Sequence, residues 1–406
     1  MALQKLRALS RPFRRRAARF LWPQLDHELV LDQECSILGR ASSALTGARR
    51  EIVKSILDAC GRLWRAGETP IPPETGVYAS PSRLPPASVA VVMPRYINCD
   101  PAYIDHDISY HVAKSAEAAG ARVSQFFVDD ITYRGTGDRG LGLERLAQFL
   151  SQTRPQVVAF DANFIPNNRT IDAETILTLR QSLGFKFVAL VPDCYDACPF
   201  DFLGYWHRVA DLSIIFHRNT RYRRTLPDQS KVLVCPALPF HEPTFVPGDV
   251  RDIDLSYSGS DTRQRRMFMD AAARAGLRTE CIIHDRTREK APTIEGFARL
   301  LGRSKLVFNN GWLNQQDSIM TGRVAETILS GAVLIQEIGA PLDDYLVPFV
   351  HYIPVANLAQ FVAYCRVLVE DDDRRDAIAQ TAREFWLEHY ASRRFWQRVA
   401  HACQLS

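Results

Sequence analysis

The chain has 406 residues, 46% hydrophobic and 24% charged, with a formal net charge of +4. That length suits two domains at about 150 residues each, and the composition excludes a disordered or fibrous chain. The small net charge excludes a chain-wide field for polyanions, so no nucleic-acid partner is expected; nor does any run approach the ~20 apolar residues of a membrane helix.

Residues 1–25 stand apart. Lys5, Arg7, Arg11, Arg14, Arg15, Arg16 and Arg19 all precede the first acid, Asp26, while Leu3, Leu6, Phe13, Ala17, Phe20 and Leu21 share one side of a helical wheel. Such a segment can lie on an anionic membrane face with its apolar side down. A basic tail, or a segment docked on the protein itself, fits the same residues. Pro12 favours two short pieces over one continuous helix. Residues 26–66 have apolar positions at helical spacing, and the prolines at 70, 72, 73, 81, 85 and 86 mark a linker. Together 26–87 read as a helical extension and a Pro-rich connector.

From residue 88 short apolar runs alternate with amphipathic helices. Strands are predicted over 89–93, 122–128, 156–160, 185–191, 212–216 and 231–235, with helices over 108–119, 143–152 and 173–183. After a loop-like stretch at 236–250 the pattern restarts. It gives strands over 253–257, 279–283, 306–308 and 332–336, helices over 265–275, 294–301 and 324–329, then terminal helices over 358–369, 374–388 and 393–403. Alternation of this kind predicts parallel sheets covered on both faces. The expected architecture is α/β, with two Rossmann-like doubly wound domains at 88–247 and 248–390 facing a cleft. A last helix, in 391–406, crosses back to the first domain. Ligands in such sheets bind at the carboxyl ends of the strands.

Two features there point to a phosphate-bearing ligand. Gly259 and Ser260 follow the strand at 253, where a glycine permits close backbone approach. The next helix offers free N–H groups with Arg263, Arg265 and Arg266 at its start. Further on, Arg323 and Glu326 lie three apart on one helix face, and Gly331 closes that helix before a strand. A carboxylate so placed can accept from both ribose hydroxyls while the arginine meets a phosphate; an ordinary intrahelical ion pair fits the spacing equally. Asn309 and Asn310 should line the same cleft as ligands or as loop formers. In the first half Asp193, Tyr195 and Asp196 follow the strand at 185, where a carboxylate could deprotonate an acceptor hydroxyl or cap a turn. His106 and Asp107 form a second acid/base candidate, with His111 one turn along the helix, and His217 is a third.

The stretch 322–335, the turn at 257–260 and the ending 371–396 resemble GT-B glycosyltransferases, most closely the group of spore-maturation-type proteins with a glycosyl transferases group 1-like C-terminal domain. The hinge Pro236-Ala237-Leu238-Pro239, followed by Glu242-Pro243-Thr244-Phe245, resembles theirs as well. The likeness spans about 185–395, weakens over 88–184 and is absent from 1–87. It implies that Glu326 binds the donor ribose, that Arg323 and Arg263 meet the diphosphate, and that Gly259 is the close-approach glycine. It transfers no catalytic base.

The expected reaction is transfer of a hexose-like sugar from a nucleoside diphosphate to an acceptor hydroxyl, without cofactor or metal. A nucleotide-sugar epimerase of the same fold, and a non-catalytic scaffold, are the rivals. Nine cysteines without any CxxC pair predict free thiols in a reducing cytoplasm. The location expected is cytoplasmic, with peripheral contact at the inner membrane face through residues 1–25.

Overall fold

The computed structural model describes residues 47–65, 83–129, 139–163, 171–192, 194, 200–216, 221–311, 319–339 and 341–405. Residues 1–25, most of the Pro-rich connector, Asp193, Tyr195, Asp196 and His217 lie outside them.

A helix α1 (Gly47–Arg65) precedes two β/α series. The first comprises β1 (Ser88–Met93), α2 (Asp107–Ala118), β2 (Arg122–Phe127), α3 (Arg139–Thr153), β3 (Val157–Asp161), α4 (Ala173–Leu183), β4 (Lys186–Val191), α5 (Phe202–His207), β5 (Leu212–Ile215), α6 (Arg221–Arg224) and β6 (Val232–Val234). The second comprises β7 (Ile253–Gly259), α7 (Arg263–Arg274), β8 (Thr279–Ile283), α8 (Ile294–Arg303), β9 (Ser304–Asn309), α9 (Arg323–Leu329), β10 (Val333–Glu337) and β11 (Ile353–Val355). Three helices close the chain: α10 (Leu358–Glu370), α11 (Asp372–His389) and α12 (Ser392–Ala402).

Each predicted strand is present, its ends displaced by at most two residues. The short elements β11, α5 and α6 were not foreseen. Three to six residues hold too few apolar positions to declare a period, and β11 contains Pro354.

The first sheet is ordered β2-β1-β3-β4-β5-β6 and the second β11-β10-β9-β7-β8, every pair parallel. Counted from its own first strand, the second sheet repeats the 2-1-3-4-5 order of the first. The order therefore reverses between β1 and β3 and between β7 and β9, the two places where such sheets open a crevice for ligands.

Burial follows the strand period of two. In β1, Ala90 and Val92 join Phe160, Phe187 and Trp206 on one face, while Val89, Val91 and Met93 join Val112 and Leu190 on the other. A strand buried on both faces must be apolar throughout.

The chain's ends cross between the halves. Leu57 of α1, 4% exposed, packs into the core of the second sheet with Phe361 and Leu358. Arg374 donates to Asp58, and Arg50 pairs with Glu370 at 2.7 Å. In return α12 inserts Phe395, Trp396 and Val399 into the first sheet's core, and Trp396 Nε1 donates to Ser115 Oγ at 3.1 Å. Among the described residues no helix is long and apolar enough to cross a membrane.

Candidate active site

At the carboxyl edge of the second sheet the β7/β9 crevice is lined by a polar frame. Gln336 and Asn309 are register partners across β10 and β9, so their side chains meet: Asn309 Nδ2 donates to Gln336 Oε1 at 2.7 Å. That fixes Asn309 Oδ1 as an acceptor, and it takes Arg323 Nη1 at 2.7 Å and Thr321 Oγ1 at 3.0 Å. One residue further along, Glu337 accepts from Gln264 Nε2 at 2.6 Å and from Asn310 Nδ2. Arg265 donates to the carbonyl and hydroxyl of Ser260 and to the Asn310 carbonyl. Both guanidiniums lie over the Tyr257 ring, Arg323 at 4.9 Å and Arg265 at 5.6 Å from its centroid.

Two like charges are thus held over one aromatic ring. The Nε of each arginine is buried without a partner among the described residues. An arginine pair held this way is prepared for an anion.

Gly259 lets the frame close. Its φ is +157°, and a Cβ there would meet Arg323 Nη2 and the Tyr257 hydroxyl, each at 2.6 Å. Glu326, on the first turn of α9, is 7% exposed. Burial and the facing Asp107 push its carboxyl up to about 8, which Arg323 only partly offsets. Burial likewise pushes Glu337 to about 8 and lowers Arg323.

The β1/β3 crevice of the first sheet faces this frame. His106 caps α2, its Nδ1 accepting from the Ser109 N–H at 3.3 Å. A backbone amide only donates, so Nδ1 carries no proton and Nε2 does. Nε2 stands 3.7 Å from Asp161 Oδ2, at the end of β3. Only Nδ1 is engaged in a hydrogen bond; Nε2 faces the Asp161 carboxylate from beyond hydrogen-bond distance.

Asp107 differs. It is solvent-exposed, and its Oδ1 accepts from the Ile108 N–H at 3.0 Å. Burial pushes its pKa up, but His106, Arg286 and His111 outweigh that and hold it ionised below the usual range. Asp161, 4% exposed, is raised by burial, with His106 opposing.

Residues 263–400 match a family model described as glycosyl transferase-like. Among solved structures, Anabaena Alr3699/HepE in complex with UDP and glucose superimposes with a TM-score of 0.52 at 9% identity, covering 78% of this chain and 99% of that one. The same Anabaena protein with UDP-glucose gives 0.51, at the same identity and coverage. Sucrose-phosphate synthase from Thermosynechococcus elongatus gives 0.50 at 10% identity, covering 78% and 98%.

The fold is that of the GT-B glycosyltransferases.

No curated protein matches the sequence itself. On the GT-B frame, the predicted donor residues Gly259, Ser260, Asn309, Asn310, Arg323 and Glu326 gather at the β7/β9 crevice, but not in one role. Asn309 and Asn310 are 0% and 1% exposed and hold Arg323 and Glu337; Ser260 holds Arg265. Arg263 is exposed, on the outer side of α7. A helix turns 100° per residue, so residues two apart face opposite ways, and Arg265 takes the inward place.

Arg265 shares its stripe with the buried Phe268, Met269 and Ala272; that period was in the sequence and would have chosen it. Asp161 was missed because a single aspartate ending a strand has no spacing to declare it. His111 is buried, packed against Phe240 and Phe245 and accepting from the His241 N–H. Among the described residues no three His, Cys, Asp or Glu side chains form a metal-holding group.

Proposed function

We propose that this chain is a glycosyltransferase that moves a hexose from a nucleoside diphosphate to an acceptor hydroxyl. The observation that carries the reading is the arginine pair on Tyr257, with Glu326 beside it, opposite an ionised Asp107. Complexes of the Anabaena protein with UDP, glucose and UDP-glucose support a donor of this class.

Glu326 accepts from the ribose hydroxyls, and Arg323 and Arg265 take the diphosphate. The acceptor oxygen attacks the anomeric carbon and its proton passes to Asp107. The bond from that carbon to the phosphate oxygen breaks, and both electrons leave on the diphosphate. The new charge is met by guanidiniums already in place, so little reorganisation is needed. His106 is a positioning residue here: its Nδ1 is held by the Ser109 N–H and its Nε2 faces Asp161 rather than the acceptor. The resemblance to spore-maturation-type proteins supports a role in cell-surface glycan or glycoconjugate synthesis. In this reading the enzyme is cytoplasmic and metal-independent, and residues 1–25 touch an anionic membrane face.

Product analysis without any acceptor tests it. Incubated with UDP-, GDP-, dTDP- and CDP-hexoses, the protein should slowly release free nucleoside diphosphate and hexose from one donor, as water replaces the acceptor. An epimerised nucleotide sugar, or no consumption of any donor, would overturn the reading.

A further inference from the structure

The loop after β8 has a partner for nearly every polar group. Asp285 accepts from the Thr287 N–H at 3.1 Å, the Thr287 hydroxyl at 2.6 Å and Lys290 Nζ at 2.8 Å. The Arg286 N–H donates to His284 Nδ1 at 3.2 Å. Arg288 reaches across to the first half: its N–H donates to the Ala102 carbonyl at 3.1 Å and its Nε to the Tyr103 carbonyl at 2.9 Å. Its guanidinium lies 4.7 Å from the Tyr96 ring centroid and 3.3 Å from Asp105. The Ile104 N–H answers by donating to the Arg286 carbonyl at 3.1 Å, and Tyr103 and Thr287 form an antiparallel bridge. This is a backbone strap between the two sheets.

Within the strap Arg286 breaks the pattern twice. Its φ is +65°, the left-handed region that a side-chain-bearing residue occupies only when its surroundings impose it. Its exposed guanidinium, unlike Arg288 and Lys290, has no hydrogen bond or ion pair among the described residues. Asp107 is close enough for Arg286 to lower its pKa, yet no ion pair joins them among the described residues. Burial lowers His284 and Arg323, and the same charge adds to it. The strap is tied at its other end to the donor frame, the His284 N–H donating to the Gly259 carbonyl at 3.1 Å, so Arg286 is held between Gly259 and Ile104, three residues before Asp107.

We propose that Arg286 is a catalytic residue that grips the sugar-bearing phosphate of the donor, delivered there by the strap the two halves form together. The inference rests on the donor-site reading above. Asp107 marks where the acceptor loses its proton, and the phosphate nearest that point carries the breaking bond. A guanidinium meets two phosphate oxygens at once, so Arg286 would close a cradle whose other walls are Arg265 and Arg323. Structural strain retained around a side chain that binds nothing in the protein is how functional sites hold a group ready for a ligand.

Arg286→Gly separates the role from folding, because glycine adopts this φ without strain. The variant should melt no lower than the parent. Titrated with the pairs UDP/UMP, GDP/GMP, dTDP/dTMP and CDP/CMP, it should bind the preferred diphosphate about tenfold more weakly and the matching monophosphate unchanged. Arg286→Lys should fall between. Equal losses for both members of the pair, or no loss for either, would overturn the assignment while leaving the donor site standing. A parent protein that binds no nucleotide at all would overturn both.

Discussion

The two sheets share the 2-1-3-4-5 strand order, yet their carboxyl edges are built to different standards. On the second sheet Asn309, Asn310, Gln336 and Glu337 are each at most 2% exposed and fix Arg323 and Arg265 before any ligand arrives. On the first sheet the proposed base is one exposed carboxylate, Asp107, kept ionised by its neighbours. The difference matches two tasks. A nucleoside diphosphate presents constant features, which repay a rigid frame, whereas an acceptor must enter and leave from a face open to water.

If that division is right, the halves should fail differently. The largest effects fall on turnover. Asp107→Asn should lower kcat by about 10²–10⁴-fold, the range for losing a general base, with donor affinity kept. Arg323→Ala should lower it by about 10²–10³-fold and weaken the diphosphate as well. Equal losses of donor affinity in the two variants would erase the division.

A second break tests which half owns the N-terminal extension. Leu57→Ala should cost about 2–5 kcal/mol, read by denaturant unfolding, because the side chain packs with Phe361 and Leu358 of the second sheet's core. Protection from hydrogen exchange should fall in β7–β11 and not in β1–β6; loss centred on the first sheet would reassign the helix.

The smallest effect is on stability against pH. Glu326 and Glu337 titrate near 8 in the folded chain and near 4.3 unfolded. The folded state thus holds protons the unfolded state has lost, and stability falls as pH rises toward 8. His111 and His351, pushed down to about 4, act oppositely, but only below about 6.5, their unfolded value. Between about pH 6.5 and 8 the carboxyls act without them. The melting temperature should decline across that window, with a shallower slope in Glu337→Gln; a flat parent profile would mean the frame is wetter than its burial implies.

The same contrast governs what the sequence disclosed. The second edge was legible because its parts carry local signatures: Gly259 ending an apolar strand, Arg323 and Glu326 three apart on one face, Gly331 closing the helix at φ +66°. What those residues do was less legible. Asn309 looks alike whether it touches a ligand or an arginine, and only the register that sets Gln336 beside it decides. The first edge was harder because its site joins residues far apart in the chain, His106 with Asp161 and Ile104 with Arg286. Such pairs exist only once the strand order is known. Arg286 was hidden for a further reason: its distinction is a backbone angle, which no residue type announces.

The central claim is that the β7/β9 crevice binds a nucleoside diphosphate. Calorimetric titration of the full chain with UDP, GDP, dTDP and CDP, repeated on Glu326→Ala, tests it most directly. One nucleotide should bind with a Kd in the micromolar range, and the variant should lose about 1.4 kcal/mol or more, a tenfold effect. A folded protein that binds none of the four, or a variant that binds as tightly as the parent, would contradict it.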